Sequence, residues 1–375
     1  MTTGSIVTET LKIIVVAGAR PNFMKVAPII QQIRHRASHG EPGLEYRLIH
    51  TGQHYDLAMS DVFFRELGIP APDINLGVGS GSHAAQTASV MLKFEPACIG
   101  EQPDWVVVVG DVNSTLACTL VCAKLGIKVA HVEAGLRSFD RRMPEEVNRV
   151  VTDALADLLL TPSADGDANL LREGISADRI RRVGNVMIDT LVANLDKARR
   201  SDMPTKYSLS LRGFVYVTLH RPSNVDDPHH LSRVIQEING VARRLPVVFP
   251  IHPRTRKMLA ALETQVPIDA AVHLIEPVGY HDSLWLTEHA RFVLTDSGGI
   301  QEESTFLGTP CLTLRPNTER PITIEIGTNQ LTQLDCLAAD AERLLLEHGR
   351  RGAIPEYWDG RTAERIVDAL LTYKA

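Results

Sequence analysis

The sequence predicts an α/β protein built from two Rossmann-like domains facing a cleft. Three observations predict it. Short apolar runs rich in Val and Ile recur along the whole chain without polar alternation, as strands covered on both faces do in parallel sheets. Stretches with helical apolar spacing lie between those runs. A polar segment with a proline, Lys197-Ala-Arg-Arg-Ser-Asp-Met-Pro-Thr-Lys, breaks the alternation near its middle. The 375 residues suffice for two domains at roughly 150 residues each.

The strands are expected at Lys12–Ala17, Tyr46–His50, Trp105–Val109, Lys128–Val132, Leu158–Leu160, Phe214–Leu219, Val247–Ile251, Phe292–Leu294 and Pro310–Leu314. Each is short and lacks polar alternation, which suits a strand buried on both faces. Helices are expected at Val26–Arg36, where Ile29, Ile30 and Ile33 share a face, and at Ser114–Leu125 and Leu231–Leu245. The expected domains are residues 1–190, carrying carboxylates at its strand ends, and 191–360, carrying a phosphate-binding loop. Residues 361–375 form a last helix, Thr362–Tyr373, expected to pack back on the first domain.

Composition narrows the function. The 39 Lys and Arg against 45 Asp and Glu give a net charge of −6, which argues against a general nucleic-acid binder. No stretch approaches the roughly 18 apolar residues of a membrane span, and the first twelve residues lack a secretory pattern. The five cysteines, Cys98, Cys118, Cys122, Cys311 and Cys336, read as reduced core residues of a cytoplasmic protein. The Cys118/Cys122 spacing suits a metal site but has no Cys or His pair near it, and the His residues form no zinc spacing, so no metal is expected.

The polar clusters that carry chemistry follow directly on the apolar runs, and ligands of open parallel sheets bind at the carboxyl ends of strands. Asp296-Ser-Gly-Gly-Ile-Gln-Glu-Glu-Ser follows a strand and opens a helix. The amides of Ser297, Gly298 and Gly299 suit a phosphate there, and Glu303, one turn on, suits the two hydroxyls of a ribose. A plain Ser-capped helix fits the same letters. Arg20 and Lys25, after the first strand, suit a diphosphate, or are two solvated bases. Neither a G-x-G-x-x-G nor a P-loop is present, which weighs against a dinucleotide enzyme or an ATPase.

Asp111, Glu133, Glu145 and Glu146 are the carboxylates of the first half. Crowded carboxylates serve as acid and base. Glu145 and Arg149 stand at i, i+4 on one helix face, a spacing that by itself suits a surface ion pair. His220 and His252 each end a strand of the second half, where a His can donate to phosphate, move a proton or cap the loop.

Together these motifs resemble one family. Gly18-Ala-Arg-Pro, Lys25-Val-Ala-Pro, Thr51-Gly-Gln-His-Tyr-Asp, Val109-Gly-Asp-Val-Asn-Ser, His131-Val-Glu-Ala-Gly-Leu-Arg-Ser and Met143-Pro-Glu-Glu-Val-Asn-Arg cover the first half. Gly184-Asn-Val-Met-Ile-Asp, Leu219-His-Arg-Pro-Ser-Asn-Val-Asp, Pro250-Ile-His-Pro-Arg-Thr and Asp296-Ser-Gly-Gly-Ile-Gln-Glu-Glu follow in order. The chain resembles the non-hydrolysing UDP-N-acetylglucosamine 2-epimerases, which share the GT-B-like fold. The resemblance implies interconversion of UDP-GlcNAc and UDP-ManNAc by anti-elimination of UDP, through bound 2-acetamidoglucal, with no cofactor. It implies Asp111, Glu133, Glu145 and His220 as catalytic residues. It implies Arg20, Lys25, Arg149, His252, Ser297, Gly298, Gly299 and Glu303 as substrate-binding residues. A UDP-sugar as partner, a homodimer, a cytoplasmic location and a place in polysaccharide precursor synthesis are implied in the same way.

The sequence departs from the family pattern twice. In Gln53-His54-Tyr55-Asp56 an acidic residue stands where many members bind an activating diphosphate, which weighs against activation by substrate. Ser283 stands where the family commonly stacks an aromatic ring on uracil, leaving Tyr280, Trp285 or backbone contacts for the base. The alternatives are a 2-epimerase of another UDP-HexNAc, such as a diacetamido uronic acid, with Arg137, Arg141, Arg142 or Arg254 for its carboxylate. A hydrolysing epimerase, a GT-B glycosyltransferase and a catalytically silent sugar-nucleotide-binding module are the others.

Overall fold

A computed structural model describes residues 10–39, 43–52, 68–251, 253–260, 267–346 and 352–373, without the side chains of residues 20, 21, 253 and 254. The chain divides into two compact units, residues 1–190 with 356–375, and residues 191–355.

The first unit opens with β1 (Leu11–Ala17), α1 (Arg20–Ser38), β2 (Leu44–His50), β3 (Ile74–Asn75) and α2 (His83–Glu101). It continues through β4 (Trp105–Val109), α3 (Asn113–Leu125), β5 (Lys128–Val132), α4 (Pro144–Leu155), β6 (Leu158–Thr161), α5 (Ala164–Arg172) and β7 (Ile180–Arg182). Helix α6 (Val186–Ala198) leads into the second unit. There follow α7 (Met203–Lys206), β8 (Val215–Thr218), α8 (Pro222–Val225), α9 (Pro228–Ala242), β9 (Val247–Pro250), α10 (Pro253–Ala260) and β10 (Val272–Ile275). The unit closes with α11 (Tyr280–His289), β11 (Val293–Thr295), α12 (Gly298–Leu307), β12 (Cys311–Leu314), α13 (Ile322–Glu325), β13 (Asn329–Thr332) and α14 (Leu337–Leu346). The last helix, α15 (Thr362–Thr372), belongs to the first unit.

Each unit has one sheet, and every pairing among the described strands is parallel. The first sheet runs β3-β2-β1-β4-β5-β6-β7 and the second β10-β9-β8-β11-β12-β13. Counted from its own first strand, each has the doubly wound order 3-2-1-4-5-6, the first with one strand more. The order reverses between β1 and β4 in one sheet and between β8 and β11 in the other, and such switch points are where open α/β sheets bind ligands.

The inner strands explain the apolar runs. Val106, Val107, Val108 and Val109 of β4 are all at most 2% exposed, with helices over both faces. Burying a Val contributes roughly 1.5–3 kcal/mol, which favours apolar residues along such a strand. Helix α15 lies against α1, with Arg36 Nη2 2.6 Å from Asp368 Oδ1, and buried Asp189 accepts the amides of Thr362 and Ala363 at its start. Among the described residues no helix is long and apolar enough to cross a membrane. Four cysteines are buried as the sequence suggests, but Cys336 is exposed. It lies in the short turn between β13 and α14, outside the core.

Candidate functional site

In the first unit the chemistry gathers at the ends of β1, β4 and β5. The β1–α1 turn is fixed by Asn22, whose Oδ1 accepts the amides of Gly18 and Ala19 and whose Nδ2 donates to the Val109 carbonyl at 3.0 Å. Helix α1 begins at Arg20, and one turn in, buried Lys25 donates to Glu133 Oε2. The strand-end Gly110 has φ +66°, and a Cβ there would lie 2.8 Å from the Lys25 amine, so only glycine lets that amine reach Glu133.

Glu133 follows β5. It is 4% exposed, and its φ of +71° is rare for a residue with a side chain. One carboxylate oxygen meets Lys25; the other, Oε1, is buried and makes no hydrogen bond among the described residues. Strained backbone under a carboxylate with an open acceptor is characteristic of functional sites.

Asp111 follows β4 and is half-buried, with its Oδ2 accepting from Arg149 Nη1. Arg149 is only 2% exposed, so the surface-pair reading of Arg149 is corrected: it is a core residue. Its buried partner on α4 is Glu146, with Nη2 to Oε2 at 2.6 Å, while Glu145 is exposed on the first turn. Glu146 also accepts the amides of Ser138 and Phe139 at 2.9 Å each. Burial alone would raise its carboxyl, but these amides and Arg149 outweigh burial and hold it below the usual carboxylate range. The sequence analysis gave Glu146 no role of its own. Its signal was the i, i+3 spacing to Arg149, as good a helix spacing as i, i+4.

The second unit gathers its groups at its own switch point, after β8 and β11. Asp296 is fully buried and accepts the amides of His220 and Arg221 and the side-chain amide of Asn224. His220 Nδ1 lies 3.1 Å from Asp296 Oδ1, while half the His220 ring is exposed. Ser297 is the N-cap of α12, yet its side chain makes no capping bond, so the plain Ser-cap reading does not hold. The first amides of this helix, those of Gly298 and Gly299 included, have no intrahelical acceptor. A Cβ on Gly298 would lie 2.6 Å from Arg320 Nη1 and 3.1 Å from Glu319 Oε1, so glycine makes room for a buried ion cluster beside the helix start. In that cluster Arg320 Nε lies 2.9 Å from Glu302 Oε1 and Arg315 Nη2 2.8 Å from Glu319 Oε2. The sequence analysis missed Arg315 and Arg320, which lie in an Arg-Pro-Asn-Thr-Glu-Arg-Pro stretch just past β12.

Glu303 is buried one turn into α12. Burial, and then the neighbouring charge of Glu302, push its carboxyl up to about 8 against a weaker opposing hydrogen bond from Tyr280. Tyr280 and Trp285 do not offer a ring for a base. Tyr280 is buried beside Glu303, and Trp285 stacks on Phe214 at 5.9 Å and on His289 at 4.5 Å within the core. Ser283 Oγ lies 2.8 Å from the Tyr216 hydroxyl. Arg137 is not available to a substrate either, being buried between Asp153 and Glu173. His252, residues 53–56 and the side chains of Arg20 and Arg254 lie outside the described residues. Among the described residues no three His, Cys, Asp or Glu side chains group as a metal site.

The structure thus brings Lys25, Glu133, Asp111 and Arg149 together in one unit, and His220, Ser297, Gly298, Gly299 and Glu303 in the other. Residues 36–371 match the family model described as UDP-N-acetylglucosamine 2-epimerase. The chain belongs to that family. A relative named UDP-N-acetylglucosamine 2-epimerase from Methanocaldococcus jannaschii is 41% identical over 97% of this chain and 99% of its own length. A Pseudomonas aeruginosa relative named UDP-2,3-diacetamido-2,3-dideoxy-D-glucuronate 2-epimerase is 41% identical over 86% and 88%. The crystal structure of the M. jannaschii enzyme in complex with UDP-GlcNAc and UDP matches at a TM-score of 0.86 and 40% identity, covering 97% of this chain and all of that one. Family and topology together make this a GT-B-like fold.

Proposed function

We propose that this chain is a non-hydrolysing UDP-N-acetylglucosamine 2-epimerase, interconverting UDP-GlcNAc and UDP-ManNAc. In the forward direction a base takes the C2 proton, the C1–oxygen bond breaks, and its electron pair leaves with UDP. The bound 2-acetamidoglucal then takes a proton on the opposite face of C2 while a diphosphate oxygen bonds to C1 again. Inversion at C2 needs acid and base groups on two sides of the ring, and Asp111, Glu133, Glu145 and His220 are the candidates. Charge building on the leaving diphosphate is met by the amides of Ser297, Gly298 and Gly299 and by Arg20, Lys25, Arg149 and His252. Glu303 takes the ribose hydroxyls.

The observation that carries this reading is Glu133, buried on left-handed backbone, with Lys25 on one oxygen and no hydrogen-bond partner among the described residues on the other. A diphosphate-binding module has no use for such a group, because a carboxylate repels its ligand. The name of the Pseudomonas relative supports a second substrate, the diacetamido glucuronate, although Arg137 is no longer a candidate for the extra carboxylate. The homodimer reading is supported by Leu92 and Ile99, 74% and 59% exposed one heptad apart on α2. Cysteines without disulfides, four of them buried, support a cytoplasmic location.

Incubation in deuterated water, followed by NMR, tests the proposal. UDP-GlcNAc is expected to yield UDP-ManNAc carrying deuterium at C2, with little free UDP at equilibrium. Free N-acetylmannosamine plus UDP would mean a hydrolysing enzyme. No exchange with UDP-GlcNAc, but exchange with the diacetamido glucuronate, would move the substrate assignment to the second reading.

A further inference from the structure

We propose that helix α4 is the common frame of Asp111, Glu133 and Glu145, and that Asp153 on this helix is the positioning residue that sets Glu133. The inference rests on the reading of Glu133 and Asp111 as groups that act on the sugar.

Glu145, Arg149 and Asp153 stand at i, i+4 and i+8 and share one face of α4. Glu145 is itself one of the carboxylates. Arg149 holds Asp111. Asp153, 1% exposed, reaches the two residues that flank Glu133. Its Oδ1 lies 2.6 Å from His131 Nδ1, two residues before Glu133, and its Oδ2 accepts the amide of Gly135, two residues after, at 3.0 Å. The left-handed turn at Glu133 is therefore stapled on both sides by a single carboxylate.

The staple also reaches Asp111. His131 Nε2 lies 2.8 Å from the carbonyl of Gly110, the residue before Asp111. One ring thus spans the Asp153 carboxylate and the Gly110 carbonyl, and ties the turn before Asp111 to the turn at Glu133. Arg137 Nη1, 2.7 Å from Asp153 Oδ2, completes the charge balance and is held in turn by Glu173. Burial would raise the Asp153 carboxyl, but His131 and Arg137 outweigh it and keep it below the usual carboxylate range. Apolar packing could fill the same space at no cost in stability. A charged network on the flanks of Glu133 and Asp111 instead ties the two turns to one helix.

The test is a double-mutant cycle read by steady-state kinetics and by C2 deuterium exchange. In Asp153→Asn the amide can accept from one flank but turns N–H toward the donor on the other, so one staple is lost. The expected result is a kcat about 100-fold lower, the scale of a misplacement near 1 Å, with KM within about twofold and UDP affinity unchanged. In a Glu133→Gln background the same substitution is expected to cost less than about twofold more, because the carboxylate it positions is already gone. Equal losses in the two backgrounds, or no loss of kcat in the wild-type background, would overturn the proposal. If Asp153→Asn does not fold cooperatively by circular dichroism, His131→Gln carries the same cycle, since it keeps the contacts of Asp153 with Gly135 and Arg137. Its expected loss is roughly tenfold in wild type and none in Glu133→Gln, with the same overturning outcomes. Full turnover in Glu133→Gln alone would sink the assignment of Glu133 itself, a result distinct from additivity.

Discussion

The two units share a strand order and place their polar groups at the same topological position, yet they treat charge in opposite ways. In the first, each buried or half-buried carboxylate at a strand end touches a buried cation, Glu133 with Lys25 and Asp111 with Arg149. In the second, Glu303 lies beside another carboxylate, Glu302, and burial with that neighbour pushes it up to about 8. The groups proposed to hold an anion there are main-chain amides at the start of α12 rather than paired side chains. On the proposed reading one scaffold position thus serves two purposes: side chains held in a network move protons, and amides with glycine hold a charged group. The first purpose should register in turnover and the second in affinity.

The largest expected effect breaks the comparison if it is absent. Glu133→Gln and Asp111→Asn are each expected to lower kcat by roughly 10²–10⁴-fold, the range of a lost acid or base. UDP affinity by calorimetry should stay within about threefold, because the substitutions leave in place Lys25, Arg149 and the amides at the start of α12 that are proposed to meet the diphosphate. Unchanged turnover in both variants would leave the first unit without a catalytic role.

A middle-sized effect sharpens it from the other side. In Gly298→Ala the new Cβ falls 2.6 Å from Arg320 Nη1, so the guanidinium must leave its place beside the helix start. UDP affinity is expected to fall about 10–100-fold, or roughly 1.4–2.8 kcal/mol, with kcat changed less than threefold or so. A loss of kcat at unchanged affinity would mean that the start of α12 does more than hold UDP.

How far the sequence reveals this division depends on what each residue must satisfy. All nine apolar runs lie on strands, and the four strands without such a run, β3, β7, β10 and β13, are the four edges of the two sheets. An inner strand buried on both faces and paired on both sides is mostly apolar, and a polar residue on it needs a buried partner, as His131 of β5 has in Asp153. An edge strand such as Ile-Arg-Arg or Asn-Gln-Leu-Thr pairs on one side only, and its composition resembles a loop. The same logic holds at the sites. Groups proposed to meet the ligand, such as Ser297, Gly298 and Glu133, follow strands and are legible from position. Groups that orient them are not. Asp153 and Asp296 are fully buried, and their partners are main-chain amides and residues up to 76 positions away. Glu145 and Glu146 are adjacent and chemically alike, and only the helix phase separates the exposed one from the one on Arg149.

The smallest expected effect concerns the carboxylate that the second unit leaves beside a like charge. The Glu303 carboxyl, ordinarily near 4.5, sits at about 8 in the folded protein. Between these values the folded state holds a proton that the unfolded state has released, so stability falls as pH rises through this window and levels off above it. Below the lower value both states are protonated and the contribution is complete. Glu303→Gln removes the ionisation while keeping the shape, so its ligand-free melting temperature should lose less between pH 5.5 and 8.5 than that of the wild type. The difference is expected to be about 2–4 °C for each kcal/mol recovered, and scanning calorimetry of the two proteins in parallel measures it. Identical pH slopes would mean that Glu303 is already ionised at neutral pH. The contrast between a first unit whose carboxylates meet cations and a second whose carboxylate meets its like would then rest on hydrogen bonding alone.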